Sequence, residues 1–412
     1  MADDEHLARA HRLMATTPPI DGHNDLPWQY RSRVNNHVDR LDIAQDLTTL
    51  ESPTHTDLPR LRAGRLGAQF WSVYIPISTT GGRPGDARVV IEQIDLVRRL
   101  VSRYPDDLEI AYTADDVERI FKQGRIASMM GMEGGHSIEN SLAVLRATYA
   151  LGARYMTLTH SKGTFWADSA TDEPRHDGLT AFGEEVVREM NRLGMLVDLS
   201  HVAPATMHDA MDVSMAPVIF SHSSARALCD HPRNVPDDVL ARLPDRGGVV
   251  MITFVPRYLS QALNEHTQRR REAQQRVQDE LPDDAPAVDA AMARWDQDHP
   301  SPRATLGDVA DHIEHVARVA GIDHVGIGSD FDGIGSLPVG LEDVSKFPSL
   351  FAELLRRGFS DDDVRKVLGE NLLAVMREVE AVAAGLQRER PPSDATIEEL
   401  DGIDPAALWR DQ

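Results

Sequence analysis

Short apolar or β-branched runs recur along the chain, each followed by a loop and then by a longer stretch with helical periodicity. The runs that predict strands are Pro19–Gly22, Ala68–Ile75, Ile126–Met132, Arg154–Thr159, Met195–Leu199, Val218–Ser221, Gly248–Phe254 and Val325–Ser329. Between them lie helix-like segments such as Ala87–Tyr104, Leu142–Leu151 and Phe182–Leu193, the last closed by Gly194, a good helix C-cap. Eight strands alternating with helices predict an α/β fold, a parallel (β/α)8 barrel of the TIM type. No internal repeat interrupts the alternation. Residues 257–303 do: the runs RRREAQQRVQDE and DDAPAVDAAMARW stand between the seventh and eighth strands. They predict a helical insertion, either a solvated hairpin or a lid over the mouth of the barrel. Helices over 361–384 complete the barrel, and residues 388–412, with Pro391, Pro392 and several acids, predict a tail or an interface arm.

The chain has 412 residues, 41% of them hydrophobic and 26% charged, with one cysteine. That length is compatible with two or three domains, but α/β barrels of this size form one; residues 1–412 are expected to be a single catalytic barrel. Cys229 has no partner within the chain, which excludes an intramolecular disulfide framework and fits a reducing compartment. Asp3, Asp4 and Glu5 occupy the stretch where a signal peptide needs positive charge, and no apolar run approaches the roughly 18 residues of a spanning helix. A soluble, cytoplasmic protein is expected. The net charge of −23 argues against a nucleic-acid partner and against an anionic membrane surface.

The chemistry gathers where the strands end. His23 and Asp25 follow the first strand, two residues apart, so an extended chain points both to one side, within reach of one ion. The same spacing occurs at His37/Asp39 and His55/Asp57, in loop-like sequence where surface positions are expected. The third strand runs into Gly131-Met132-Glu133-Gly134-Gly135-His136, and the fourth ends at His160. Asp198-Leu199-Ser200-His201, Ser221-His222-Ser223 and Ser329-Asp330-Phe331-Asp332 close the fifth, sixth and eighth. In a barrel these ends share one rim, the face where active sites of this fold sit. His6, His11, His266 and His299 fall outside the pattern and are assigned to the surface, as are His312 and His315, three apart on an outer helix. Imidazole and carboxylate together suit zinc better than calcium or magnesium. Seven candidate groups exceed what one four-coordinate ion needs; two ions about 3.5–4 Å apart, bridged by a carboxylate and a water, use them naturally. There is no G-x-S-x-G, H-E-x-x-H or P-loop to support a serine nucleophile, a zincin or a nucleotide site.

Seven ordered motifs, PPIDGHNDLPW, GMEGGHSIEN, YMTLTHSKGTFWADS, VDLSHV, FSHSSARAL, RNVPDDVL and GIGSDFDG, resemble the membrane dipeptidase (renal dipeptidase) family, the M19 metallopeptidases, over about residues 18–375. The resemblance implies a zinc-dependent dipeptidase with two zinc ions per chain. His23 and Asp25 would bind one ion, His201 and His222 the other, and Glu133 both. It further implies that His160 holds the substrate carbonyl, that Arg233 binds the free carboxylate, and that Asp330 handles the proton. A D-residue after the scissile bond and a homodimer are also implied. Membrane attachment is not, because the secretion and lipid-anchor signals of the animal members are missing from this sequence. Read from the residues alone, Arg233 is equally suited to pair with Asp237 or Asp238. Another two-metal barrel hydrolase, of the deaminase, lactonase or phosphotriesterase type, remains the alternative: such enzymes often bridge their ions with a carboxylated lysine, and Lys162 stands two residues past His160.

Overall fold

Nine parallel strands build the sheet of the computed structural model, which describes residues 2–79, 81–282 and 284–404. They are β1 (Ile20–Asn24), β2 (Ala68–Ser72), β3 (Leu108–Ile110), β4 (Ile126–Glu133), β5 (Ala153–Thr157), β6 (Leu196–Asp198), β7 (Val218–Ser223), β8 (Gly248–Ile252) and β9 (Val325–Ile327). The spatial order is β2-β1-β9-β8-β7-β6-β5-β4-β3, and a β2–β4 pairing closes eight of the strands into a barrel. The eight expected runs are those eight strands, with ends displaced by at most three residues. The unexpected ninth, β3, lies beside the first residues of β4, Ile126–Ser128, while β5 takes the same edge further along, at Met130–Glu133. Its three residues, Leu-Glu-Ile, are too few and too polar to give a periodic signal.

Every residue of β1, β2, β4, β7 and β8 is buried, as a parallel sheet covered on both faces requires. One apolar set, including Phe70, Met129, Tyr155, Ile219 and Met251, fills the barrel; Leu372, Leu373 and Met376 of the helix Asn371–Glu389 join it. Asn371 also donates to the carbonyl of Val325, at the start of β9, so this helix plugs the N-terminal end. A second and larger apolar set lies between the sheet and the surrounding helices. Stability therefore resides in the layered core, and the C-terminal rim is left for polar side chains.

The insertion after β8 starts with Pro256–Leu259 and continues as two helices, Gln261–Glu280 and Ala285–Asp298. These pack on each other through a small apolar cluster of their own, Ala273, Val288 and Met292, with Val277 and Trp295 against it. His266 belongs to this hairpin and not to the surface: it is buried, with Nε2 2.9 Å from the carbonyl of His299. His312 and His315 are likewise buried rather than solvated. His312 Nδ1 accepts from the backbone N–H of Ala225, and Nε2 donates to the carbonyl of Leu259, tying the loop after β7 to the root of the insertion. Within the expected tail, residues 390–404 run along the barrel. Asp401 accepts from Thr180 Oγ1 at 2.6 Å and from the N–H of Phe182, at the start of the helix Ala181–Leu193. Residues 405–412 of that tail lie outside the described residues. Among the described residues no helix is long and apolar enough to cross a membrane.

Candidate metal centre

The strand ends deliver their side chains to one point. His23 stands one residue from the end of β1 and Asp25 directly follows that strand; Glu133 is the last residue of β4 and His222 stands in β7; His160, His201 and Asp330 follow β5, β6 and β9. His201 and Asp330 have φ of 68° and 65°, left-handed values that ordinary residues seldom adopt and that commonly mark functional sites.

Glu133 is at the centre. Its Oε2 lies 3.5 Å from His23 Nε2, while Oε1 lies 3.1 Å from His201 Nε2, 3.5 Å from His222 Nε2 and 3.6 Å from His160 Nε2. His201 and His222 bring their Nε2 atoms to 3.0 Å of each other, and His23 Nε2 is 3.3 Å from Asp25 Oδ2. Asp330 stands with His23 and Asp25, their candidate ligand atoms within 4.8 Å of one another. The chain leaves room for this approach at Gly333, where a Cβ would sit 2.2 Å from Asp25 Oδ2 and 2.4 Å from Asp330 Oδ1.

Two imidazoles are aimed from behind. Tyr155 reaches His23 Nδ1 at 2.8 Å and donates to the carbonyl of Gly22, so its oxygen accepts from Nδ1–H and leaves Nε2 as a lone pair. Ser221 donates to the buried Asp198 at 2.6 Å and takes the Nδ1–H of His222 at 2.9 Å, with the same result. Tyr155 gets there only because residue 131 is glycine: a Cβ would lie 1.9 Å from the tyrosine ring. The strand-end pattern contains Ser221 but not its role, and gives no sign of Tyr155. The inward phase of Tyr155 in β5, opposite a glycine of β4, is the one clue in the sequence.

The electrostatics ask for positive charge. Burial pushes His201 and His222 well below their usual range, with Arg233 and His23 respectively adding to the effect, so both are neutral and ligand-competent. Burial also pushes Asp330 up, and the neighbouring Asp25 pushes it further. Against a burial that would raise it, Glu133 is held well below the carboxylate range by His23, His160, His201 and His222. His23 moves up despite burial, drawn by Tyr155, Glu133 and Asp25. His23 Nε2 and Asp25 Oδ1 have no hydrogen-bond partner. Buried lone pairs converging without donors are what a metal site presents before its cation is considered, and the donor set fits divalent ions of the zinc type.

Arg233 is buried, not paired with Asp237 or Asp238, which go to His315 and His208. Its guanidinium donates to Ser223 Oγ and to the carbonyl of His222, it lies over the Tyr258 ring, and its Nε has no partner. His37 and Asp39 are exposed as expected. The other spacing repeat is not a surface pair. Asp57 is buried, capping the helix Leu58–Ala63 and pairing with Arg60, and His55 accepts from the N–H of Asp332, bracing the loop after β9. A cavity of about 1410 Å³ opens over the cluster, walled by Trp28 and Tyr74 on one side and by His231, Arg233 and Tyr258 on another.

A (β/α)8 barrel with four imidazoles and three carboxylates converging on its C-terminal rim defines a metal-dependent hydrolase. The profile of the membrane dipeptidase family (peptidase family M19) matches residues 7–390, and the chain belongs to that family. It is a dipeptidase of the metallopeptidase type. The chain is 44% identical over 393 residues to Dipeptidase tcpJ of Claviceps purpurea, covering 93% of this chain and 82% of that protein. It is 43% identical to Dipeptidase verJ of Clonostachys rogersoniana, covering 92% and 89% respectively. Among solved structures it is similar to the probable dipeptidase PvdM from Pseudomonas aeruginosa, with a TM-score of 0.78, 25% identity, and coverage of 92% of this chain and all of that one.

Proposed function

We propose that the protein is a binuclear zinc dipeptidase that requires a free C-terminal carboxylate and accepts a D-residue after the scissile bond. One observation carries the reading: the two oxygens of Glu133 face different ligand groups, Oε2 toward His23 and Oε1 toward His201 and His222. His23, Asp25 and Glu133 would hold one ion, and Glu133, His201 and His222 the other. Bound there, zinc supplies Lewis acidity, which acidifies water and polarises a carbonyl. The remaining steps belong to the chain. His160, half-buried beside Tyr74 and His201, donates to the carbonyl oxygen as negative charge develops on it. Asp330 takes the proton of the attacking water and passes it to the leaving amine. Arg233 grips the terminal carboxylate and fixes the register of the substrate. With the carboxylate and the scissile amide held, a D-residue exchanges the places of side chain and hydrogen on Cα, and a cavity of about 1410 Å³ leaves space for either, which supports tolerance of a D-residue. A single cysteine, buried and without a disulfide, suits residence in a reducing compartment such as the cytoplasm. Metal analysis of the purified protein together with a dipeptide screen, D-residues included at the second position, tests the proposal. A protein that binds two zinc ions and hydrolyses no dipeptide overturns it.

The grip of Arg233 has a measurable consequence. C-terminally amidated dipeptides should be poorer substrates than the free acids by roughly ten- to a hundredfold in kcat/KM, because a charged hydrogen bond in a buried site is lost. Arg233→Ala should bring that ratio close to one. A variant that still discriminates as strongly as the parent would assign the carboxylate to another cation.

The carboxylated-lysine alternative gains nothing from the geometry. Lys162 Nζ pairs with Asp172 Oδ1 at 3.0 Å and its side chain is 43% exposed, out on the cavity wall. Lys162→Met is therefore expected to keep the zinc content of the parent, and native mass spectrometry to find no carbon-dioxide adduct on the parent's Lys162.

A further inference from the structure

The cavity is larger than a dipeptide of small residues needs; ligand pockets commonly run from about 300 to 1,000 Å³. Part of its wall is cationic in a chain whose net charge is −23. Arg257 and Arg271, both from the insertion after β8, line it, and neither has a carboxylate within ion-pair distance among the described residues. Two acids share this wall, each beside an arginine: Asp230 pairs with Arg226, and Glu265 lies 3.9 Å from Arg269, itself part of the lining. Tyr258 organises the arginines. The Arg233 guanidinium carbon lies 5.4 Å from its ring centroid and that of Arg257 5.2 Å, while the His231 ring packs on it at 4.2 Å. The field is strong enough to be felt by His231, pushed down to about 3 by burial and then by Arg257, Arg233, Arg271 and Arg226. Two guanidiniums set on one tyrosine ring, one buried and one half-buried, offer partners for two negative charges on a single small ligand.

We propose that Arg257 is a specificity-determining residue that selects dipeptides whose C-terminal residue has an acidic side chain, the terminal carboxylate going to Arg233 and the side-chain carboxylate to Arg257. This rests on the dipeptidase reading above and on Arg233 as the terminal anchor. Because Arg257 stands on the insertion, substrate choice is set by the part of the chain that decorates the barrel rather than by the rim residues that perform hydrolysis.

The test compares isosteric pairs on the zinc-loaded enzyme: Ala-Asp against Ala-Asn and Ala-Glu against Ala-Gln, in L and D forms at the second position. The acidic member should be favoured by roughly tenfold in kcat/KM, an advantage that shrinks as ionic strength rises. Arg257→Gln should bring the acid-to-amide ratio close to one, and Arg257→Lys should keep part of it. Hydrolysis of Ala-Ala with no acid-over-amide preference overturns this proposal and leaves the dipeptidase reading intact; failure to cleave any dipeptide overturns the dipeptidase reading itself. A preference confined to acidic residues at the first position, or one that survives in Arg257→Gln, also overturns it. Thermal melting of both variants at the parent's temperature shows that the ratio reports recognition and not unfolding.

Discussion

Glu133→Ala protein is expected to fold, to retain little zinc and to lose activity by more than the roughly 10²–10³-fold that removal of one oxyanion donor costs in other hydrolases. Among the described residues its carboxylate is the one group within 3.6 Å of His23, His160, His201 and His222 together. Without it each ion would lose a ligand at once, and four clustered imidazoles would lose the negative charge that balances a cation among them. The barrel should not suffer in proportion. Its stability comes from the two apolar sets inside and outside the sheet, and the rim contributes little to them. Zinc content, circular dichroism and kcat/KM on the same preparation check this. Two ions bound with activity near that of the parent would mean that Glu133 bridges nothing.

The barrel was legible because its strands are buried on both faces and therefore appear as uninterrupted apolar runs. β3 was not, because an edge segment of three residues with a central glutamate has no such run. The rim was legible for a related reason: polar residues directly after apolar runs are costly to place anywhere but at a strand end facing a site. The same reasoning misplaced Asp57, whose work as a helix cap needs burial but no metal, and His312 and His266, which serve buried backbone carbonyls. A histidine with two ring nitrogens satisfied by main chain looks, in one dimension, like any histidine on a helix. The roles of Tyr155 and Ser221 escaped because both residues act through His23 and His222. Their contribution depends on contacts across strands, between β5 and β1 for Tyr155, which only the closed barrel brings together.

Asp330→Asn should keep both zinc ions and lose most of the chemical rate. The substitution is mild where it needs to be. Residue 330 has φ of 65°, a left-handed conformation that asparagine tolerates as well as aspartate, so the loop after β9 has no reason to move. The rim's first ligand group keeps His23, Asp25 and Glu133. What disappears is the ability to exchange a proton. Asp330 stands beside His23 and Asp25, where its carboxylate can take a proton from the attacking water and hand it on. An amide can neither take that proton from water nor deliver it to the leaving amine, and general acid–base help of this kind is worth roughly 10²–10⁴-fold. The loss should fall on kcat, with KM changed little, and the zinc content should match the parent. A variant with raised KM and intact kcat would make Asp330 a binding residue and move the proton carrier elsewhere in the site. A variant that has lost one zinc would instead make it a ligand, a role its place within 4.8 Å of His23 and Asp25 allows, so metal content must be measured alongside rate.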